Sequence, residues 1–67
     1  MEMKKRRLLN VSQVADILQV HPGTLANFRH KRKGPPYIKV GGRVLYDRLD
    51  VIEYIKRNKV HPELRQD

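Results

Sequence analysis

The stretch that decides the fold is residues 22–33, with the sequence PGTLANFRHKRK. Proline fits the first turn of a helix, because the N–H that it lacks has no helical partner there. At 3.6 residues per turn, Leu25 and Phe28 share one face of that helix. Small or polar residues lie roughly opposite: Gly23, Ala26, Asn27 and His30. The sequence therefore predicts a helix with one anchoring face, one small and polar face, and a cationic end.

Such a helix suits the major groove of DNA, since small side chains permit close approach and cations meet phosphates. Asn27 is the predicted base reader, because a carboxamide can bond to adenine N6 and N7 together. Thr24, near the helix start, is expected at a phosphate, and Arg29 is expected to reach one along the helix flank. For His30, a hydrogen bond to DNA and a plain surface position both remain open. The predicted recognition-helix contacts are Gly23, Thr24, Asn27, Arg29, His30 and Lys31.

Composition points to a polyanionic partner. The chain has 67 residues, with 15 Lys and Arg against 7 Asp and Glu, a formal charge of +8. That length allows one domain with a small core. The cations are clustered in residues 4–7 and 29–33, whereas a merely solubilising surface usually mixes signs. Nucleic acid is the predicted partner, and generic solubilising charge is the alternative.

Several function classes find no support. The chain lacks cysteine and lacks an apolar run near the roughly 20 residues that span a membrane, which predicts a cytoplasmic, nucleoid-associated protein without membrane contact. His21, His30 and His61 are too scattered for metal-ligand spacing, so no metal or other cofactor is expected. Ser12 and Thr24, the one serine and the one threonine, have no evident base partner, so we expect no enzyme activity.

The residues before the central stretch predict an arm and a first helix. Residues 1–8 form a basic flexible arm whose expected phosphate contacts are Lys4, Lys5, Arg6 and Arg7, although a frayed terminus with incidental charge is equally open. Asn10 and Gln13 form a capping box, with Leu9 and Val14 as a hydrophobic staple. A helix of about eight residues follows, with an apolar stripe of Val14, Ile17 and Leu18. Residues 19–21 then form a short link, in which Val20 is expected to fill the angle between the two helices.

A hairpin is predicted after the central stretch. Gly34, Pro35 and Pro36 follow Lys33 and end the helix. Residues 37–40 and 43–46 are β-rich runs separated by two glycines that can both take positive φ. Ile38, Val40 and Leu45 share the expected core face with Arg43. Tyr37, Lys39, Val44 and Tyr46 share the other face, on which the two tyrosines form a cross-strand pair. The predicted DNA-contacting wing comprises Lys39, Gly41, Gly42 and Arg43.

A third helix is predicted from Asp47, its cap, to about Asn58. Tyr46 and Val51 form a second staple, and Asp50 suits the positive end of the helix dipole. Its expected buried stripe is Val51, Ile52 and Ile55, with Tyr54 flanking. The order helix, helix, hairpin, helix predicts a mainly α winged helix-turn-helix. The predicted organisation is an arm at 1–8, a DNA-binding domain at 9–58 and a short polar tail at 59–67.

At this point the sequence resembles a known group: small excisionase and AlpA-type DNA-binding proteins with a MerR-like winged helix-turn-helix. The matching segments are VADIL at 14–18 with Val20, TL at 24–25, FR at 28–29, and GPPYIKVGGRVLY at 34–46. Asp50, Val51, Tyr54 and Ile55 extend the match. Family members often have glycine where Gln19 stands, a small capping residue where His21 stands, and a basic residue where Asn27 stands.

The resemblance implies a second helix that reads the major groove and a wing that touches the backbone or minor groove. It also implies a recombination directionality factor that binds and bends attachment-site DNA for an integrase of a phage or other mobile element. A small transcriptional regulator is the alternative, and an RNA-binding basic protein is a remote one. Residues 58–67, interrupted by Pro62, are too few for a coiled coil, so we expect self-association along DNA.

Overall fold

A computed structural model describes residues 7–62 and has the predicted winged helix-turn-helix architecture. Within these described residues, three helices accompany a three-stranded antiparallel sheet. In chain order the elements are β1 (Leu8–Asn10), α1 (Val11–Leu18), α2 (Pro22–His30), β2 (Ile38–Val40), β3 (Arg43–Asp47) and α3 (Arg48–Arg57).

Local capping defines α1 as predicted. The Asn10 side chain accepts a hydrogen bond from the Gln13 N–H at 2.8 Å, and the Gln13 side chain accepts one from the Asn10 N–H at 2.9 Å. The helix ends at Gln19, whose φ of 60° and ψ of 41° are left-handed. This conformation explains why glycine is frequent at that position in the group that the sequence resembles. Val20 then packs against the core at the turn between α1 and α2.

Helix α2 begins at Pro22 as predicted and ends earlier than expected. The prediction placed the helix end after Lys33, but the last helical residue is His30. Arg32 takes a φ of 58°, and the Lys33 N–H donates to the Phe28 carbonyl at 2.7 Å. This hydrogen bond closes the helix end before Gly34 and Pro35 are reached, so Arg32 and Lys33 lie in the following turn.

The sheet contains a strand that the sequence analysis missed. Its order is β1-β3-β2, so the predicted hairpin of β2 and β3 gains β1 on its other side. Leu9 lies opposite Tyr46 in this pairing, and Leu8 lies opposite Asp47. Leu8 had been assigned to the arm, and the strand begins one residue before the predicted domain boundary. A three-residue strand has no periodicity to detect, because it exists only through its long-range partner.

The core lies on the opposite face of the hairpin from the one predicted. Tyr46 is fully buried, whereas Ile38 and Val40 are 39% and 51% exposed. Helices α1 and α3 contact β3 on the side that carries Tyr46 and its partner Leu9. Burial of the tyrosine ring is possible because its hydroxyl has a hydrogen-bond partner, Arg29. The predicted Tyr37–Tyr46 pair is confirmed, with ring centroids 6.3 Å apart.

The core is small, and several predicted members lie outside it. Its buried apolar residues are Val14, Ala15, Leu25, Tyr46 and Val51. Three isoleucines expected in buried stripes are 40–47% exposed: Ile17, Ile52 and Ile55. The buried face of each helix is therefore narrower than predicted, because α1 buries Val14 and Ala15 and α3 buries Val51.

The start of α3 is capped as predicted. The Asp47 carboxylate accepts a hydrogen bond from the Leu49 N–H at 2.9 Å. Both staple residues, Tyr46 and Val51, are buried in the core. Asp50 lies in the first turn and Lys56 and Arg57 in the last, so the charges complement the helix dipole.

Candidate nucleic-acid interface

The outward face of α2 is a shallow, open concavity. Its lining includes four of the predicted recognition residues and has no bulky apolar side chain. The lining residues are His21, Gly23, Thr24, Ala26, Asn27 and His30. Leu25 on the other side of the helix is fully buried, and Phe28 packs against the core. The predicted division of α2 into an anchoring face and an exposed face is therefore confirmed.

His21 defines the start of this face. Its Nδ1 atom accepts a hydrogen bond from the Gly23 N–H at 3.0 Å, so the imidazole is the N-cap of α2. A Cβ atom added to Gly23 would lie 3.3 Å from the same Nδ1. A side chain at position 23 would therefore crowd the imidazole that caps α2, so the cap requires a small residue at Gly23. The sequence predictions placed His21 in the link between the helices and did not identify it as the cap of α2, although its position just before Pro22 is a cap signal.

Arg29 has partners inside the protein. Its Nη1 donates to the Tyr46 hydroxyl at 3.0 Å, and its Cζ lies 5.9 Å from the centroid of the Tyr37 ring. The side chain therefore runs from the last turn of α2 towards the sheet. No local sequence pattern predicts the hydrogen bond between Arg29 and Tyr46, because the two residues are 17 positions apart. A phosphate contact by Arg29 stays a prediction.

The wing tip is an exposed two-residue turn, as predicted. Val40 pairs with Arg43 across Gly41 and Gly42. Of the two glycines, both of which can take a positive φ, Gly41 has one, 63°, and Gly42 does not. Lys39 pairs with Val44, so Lys39 and Arg43 lie on opposite faces of the hairpin. Lys39 shares the face of Tyr46, which is the face that Arg29 contacts.

The basic arm is only partly within the described residues. Lys4, Lys5 and Arg6 lie outside them. The Arg7 carbonyl accepts a hydrogen bond from the Arg48 N–H at 2.7 Å, and its guanidinium lies 3.8 Å from the Asp47 carboxylate. This ion pair is solvent-exposed and contributes little to stability. Arg7 is thus attached to the start of α3.

The segment that contains α2 and the wing differs from the rest of the chain in its charge. Residues 17–46, which include α2 and the wing, contain no aspartate or glutamate. They contain six cations: Arg29, Lys31, Arg32, Lys33, Lys39 and Arg43. Within the described residues the four carboxylates belong to α1, to α3 and to the cap of α3: Asp16, Asp47, Asp50 and Glu53. Helix α2 and the wing therefore lie in a segment whose charged residues are all cations, which favours a polyanionic ligand.

The part of the chain at residues 7–62 has no group of three or more potential metal ligands close together. It also has no helix long and apolar enough to cross a membrane.

Comparison with known proteins gives one family. A family model described as a helix-turn-helix domain matches residues 8–59, more than three quarters of the chain. The family is typically non-enzymatic. A search of curated proteins finds no match. The chain therefore belongs to the helix-turn-helix domain family, which supports sequence-specific DNA binding with DNA as the partner.

Proposed function

We propose that this protein binds duplex DNA with α2 in the major groove and the β2–β3 wing against the backbone or minor groove. The observation that carries the proposal is the exposed face of α2, which is small and polar and lies in a segment free of carboxylates. Its concavity admits a base edge, and the amide of Asn27 lines it. The proposed contacts are Gly23, Thr24, Asn27, His30 and Lys31 on and after α2, and Lys39, Gly41, Gly42 and Arg43 on the wing.

The proposed biological role is that of an excisionase-type directionality factor that binds and bends attachment-site DNA for an integrase. The family includes AlpA-like and excisionase-like proteins, which supports this role. A single small module covers only about 600–1,000 Å² of DNA-facing surface, and such an area seldom gives tight specific binding. We therefore propose that adjacent copies associate along the duplex and supply the missing affinity.

A small transcriptional regulator of a mobile element is the second candidate, and the same contacts would serve it. An RNA-binding role has less support from the structure. Sequence-specific RNA recognition usually uses exposed aromatic rings that stack on bases. Here Phe28 packs against the core and Tyr46 is fully buried, so two of the four aromatic side chains are occupied.

The test is DNA binding by the full chain as a function of salt. Duplexes are selected from a randomised pool, and affinity is then measured by fluorescence anisotropy. If about five phosphates are contacted, the slope of log affinity against log salt is about −4 to −5. Single-stranded RNA of the same sequence is the control. Equal affinity for the RNA and the selected duplex would contradict the proposal.

The role is tested on one site against two or three tandem sites, by mobility shift and circularisation. Cooperative binding with progressive bending supports the directionality factor. A stable dimer in free solution that binds an inverted repeat without bending it supports the regulator.

A further inference from the structure

One side-chain cluster joins the recognition helix to the sheet. The guanidinium of Arg29 donates to the Tyr46 hydroxyl at 3.0 Å and lies 5.9 Å from the centroid of the Tyr37 ring. The two rings are 6.3 Å apart and tilted by 55°. Within residues 7–62, the Arg29–Tyr46 contact is the one hydrogen bond between two side chains. We call Arg29, Tyr37 and Tyr46 the arginine–tyrosine cluster.

The members of the cluster come from the parts of the molecule that would meet DNA. Arg29 lies in the last turn of α2, and Tyr37 directly precedes β2 of the wing. Tyr46 lies in β3, the central strand, with its ring fully buried. The Tyr46 ring is held rigidly, because a packed core allows little side-chain motion. One guanidinium therefore links the helix both to the core and to the root of the hairpin.

We propose that Arg29 is a positioning residue that sets the placement of α2 relative to the wing, so that both engage one duplex. This inference rests on the proposed function and assigns to Arg29 a role that differs from the phosphate contact expected from the sequence. The planar guanidinium suits the position, because it can donate to the hydroxyl and stack over a ring at the same time. A lysine ammonium has no plane and cannot satisfy both partners in this way.

The test separates the two roles of Arg29 with three variants. Tyr46→Phe removes the hydroxyl and keeps the charge of Arg29. Arg29→Lys keeps the charge and loses the planar contact, and Arg29→Met loses both. Arg43→Met, an exposed arginine at the wing tip, is the matched control for loss of a cation. Affinity for a selected duplex and for a random duplex is measured between 50 and 300 mM salt. Circular dichroism checks that each variant is folded at the temperature of the binding assay.

If Arg29 positions the helix, Tyr46→Phe and Arg29→Lys each weaken the selected duplex about tenfold and leave the random duplex and the salt slope unchanged. The double variant Tyr46→Phe, Arg29→Lys is then no weaker than either single one, since both remove the same contact. Should Tyr46→Phe fail to fold, Tyr37→Leu removes the ring at a half-exposed position and serves the same purpose. A role confined to stability would lower the melting temperature and leave the ratio of selected to random affinity intact.

The inference is overturned if Arg29→Met makes the salt slope shallower by about 0.9, as expected for one lost phosphate contact, while Arg29→Lys binds like the wild type. It is also overturned if the ratio of affinities is unchanged in Tyr46→Phe and in Tyr37→Leu. Failure of the proposed function looks different: the wild type itself would then show no preference for a selected duplex.

Discussion

Gly34, in the turn that follows α2, offers the sharpest test of the fold. Its φ is 83°, and a Cβ atom added there would lie 3.1 Å from the Phe28 Cβ and 3.2 Å from the Phe28 Cδ2. Both the backbone conformation and the close approach therefore require glycine. The chain supplies two matched controls: Gly41 has a φ of 63° with open space around it, and Gly42 has open space without a positive φ.

The expected effects of alanine follow from these differences. A left-handed conformation destabilises a residue other than glycine by about 1–2 kcal/mol. Alanine also restricts the unfolded chain more than glycine does, and this effect stabilises the folded protein by about 0.4–1 kcal/mol. Gly41→Ala therefore destabilises by about 1 kcal/mol, and Gly42→Ala is neutral or stabilises slightly. Gly34→Ala must also displace the Phe28 side chain, which adds about 1 kcal/mol at the low end of overpacking costs. Its total of about 2 kcal/mol lowers the melting temperature by about 8–16 °C.

The assay is urea and thermal unfolding of the three variants, followed by circular dichroism at 222 nm. The predicted order of stability is Gly42→Ala above Gly41→Ala above Gly34→Ala. A Gly34→Ala protein as stable as Gly42→Ala would refute the reasoning, because neither the φ nor the Phe28 contact would then have a measurable cost.

Two further predictions concern the interface itself. Asn27→Ala should change base preference at one or two positions by about 1–3 kcal/mol, whereas Arg43→Ala should weaken all duplexes alike and make the salt slope shallower by about 0.9. Selection of binding sites with each variant checks this, and an unchanged preference for Asn27→Ala would remove that residue from the base readers. His21→Ala should destabilise by about 0.5–2 kcal/mol through loss of the α2 cap, and His21→Asn should retain most of the stability. Equal urea midpoints for His21→Ala and the wild type would show that the cap contributes nothing.

The features that the sequence predicted correctly depend on neighbours within a few residues. Asn10 and Gln13 cap α1 reciprocally, Pro22 begins α2, and two glycines separate strands that pair at Val40 and Arg43. Each of these signals concerns groups at most four positions apart, so the interacting residues can be recognised from a short segment of the sequence. The alternation along the hairpin likewise predicted that Lys39 and Arg43 lie on opposite faces.

Tertiary structure decided which of those faces is buried. The sequence predicted that the aliphatic face of Ile38 is buried, but the helices cover the face of Tyr46. The Tyr46 hydroxyl accepts a hydrogen bond from Arg29, which is 17 residues away in the sequence. Strand β1 likewise has no signal of its own and forms only against β3. The physical reason is the same in both cases. Periodicity shows which residues share a face, whereas the burial of that face depends on non-local partners that cover it and satisfy its polar groups.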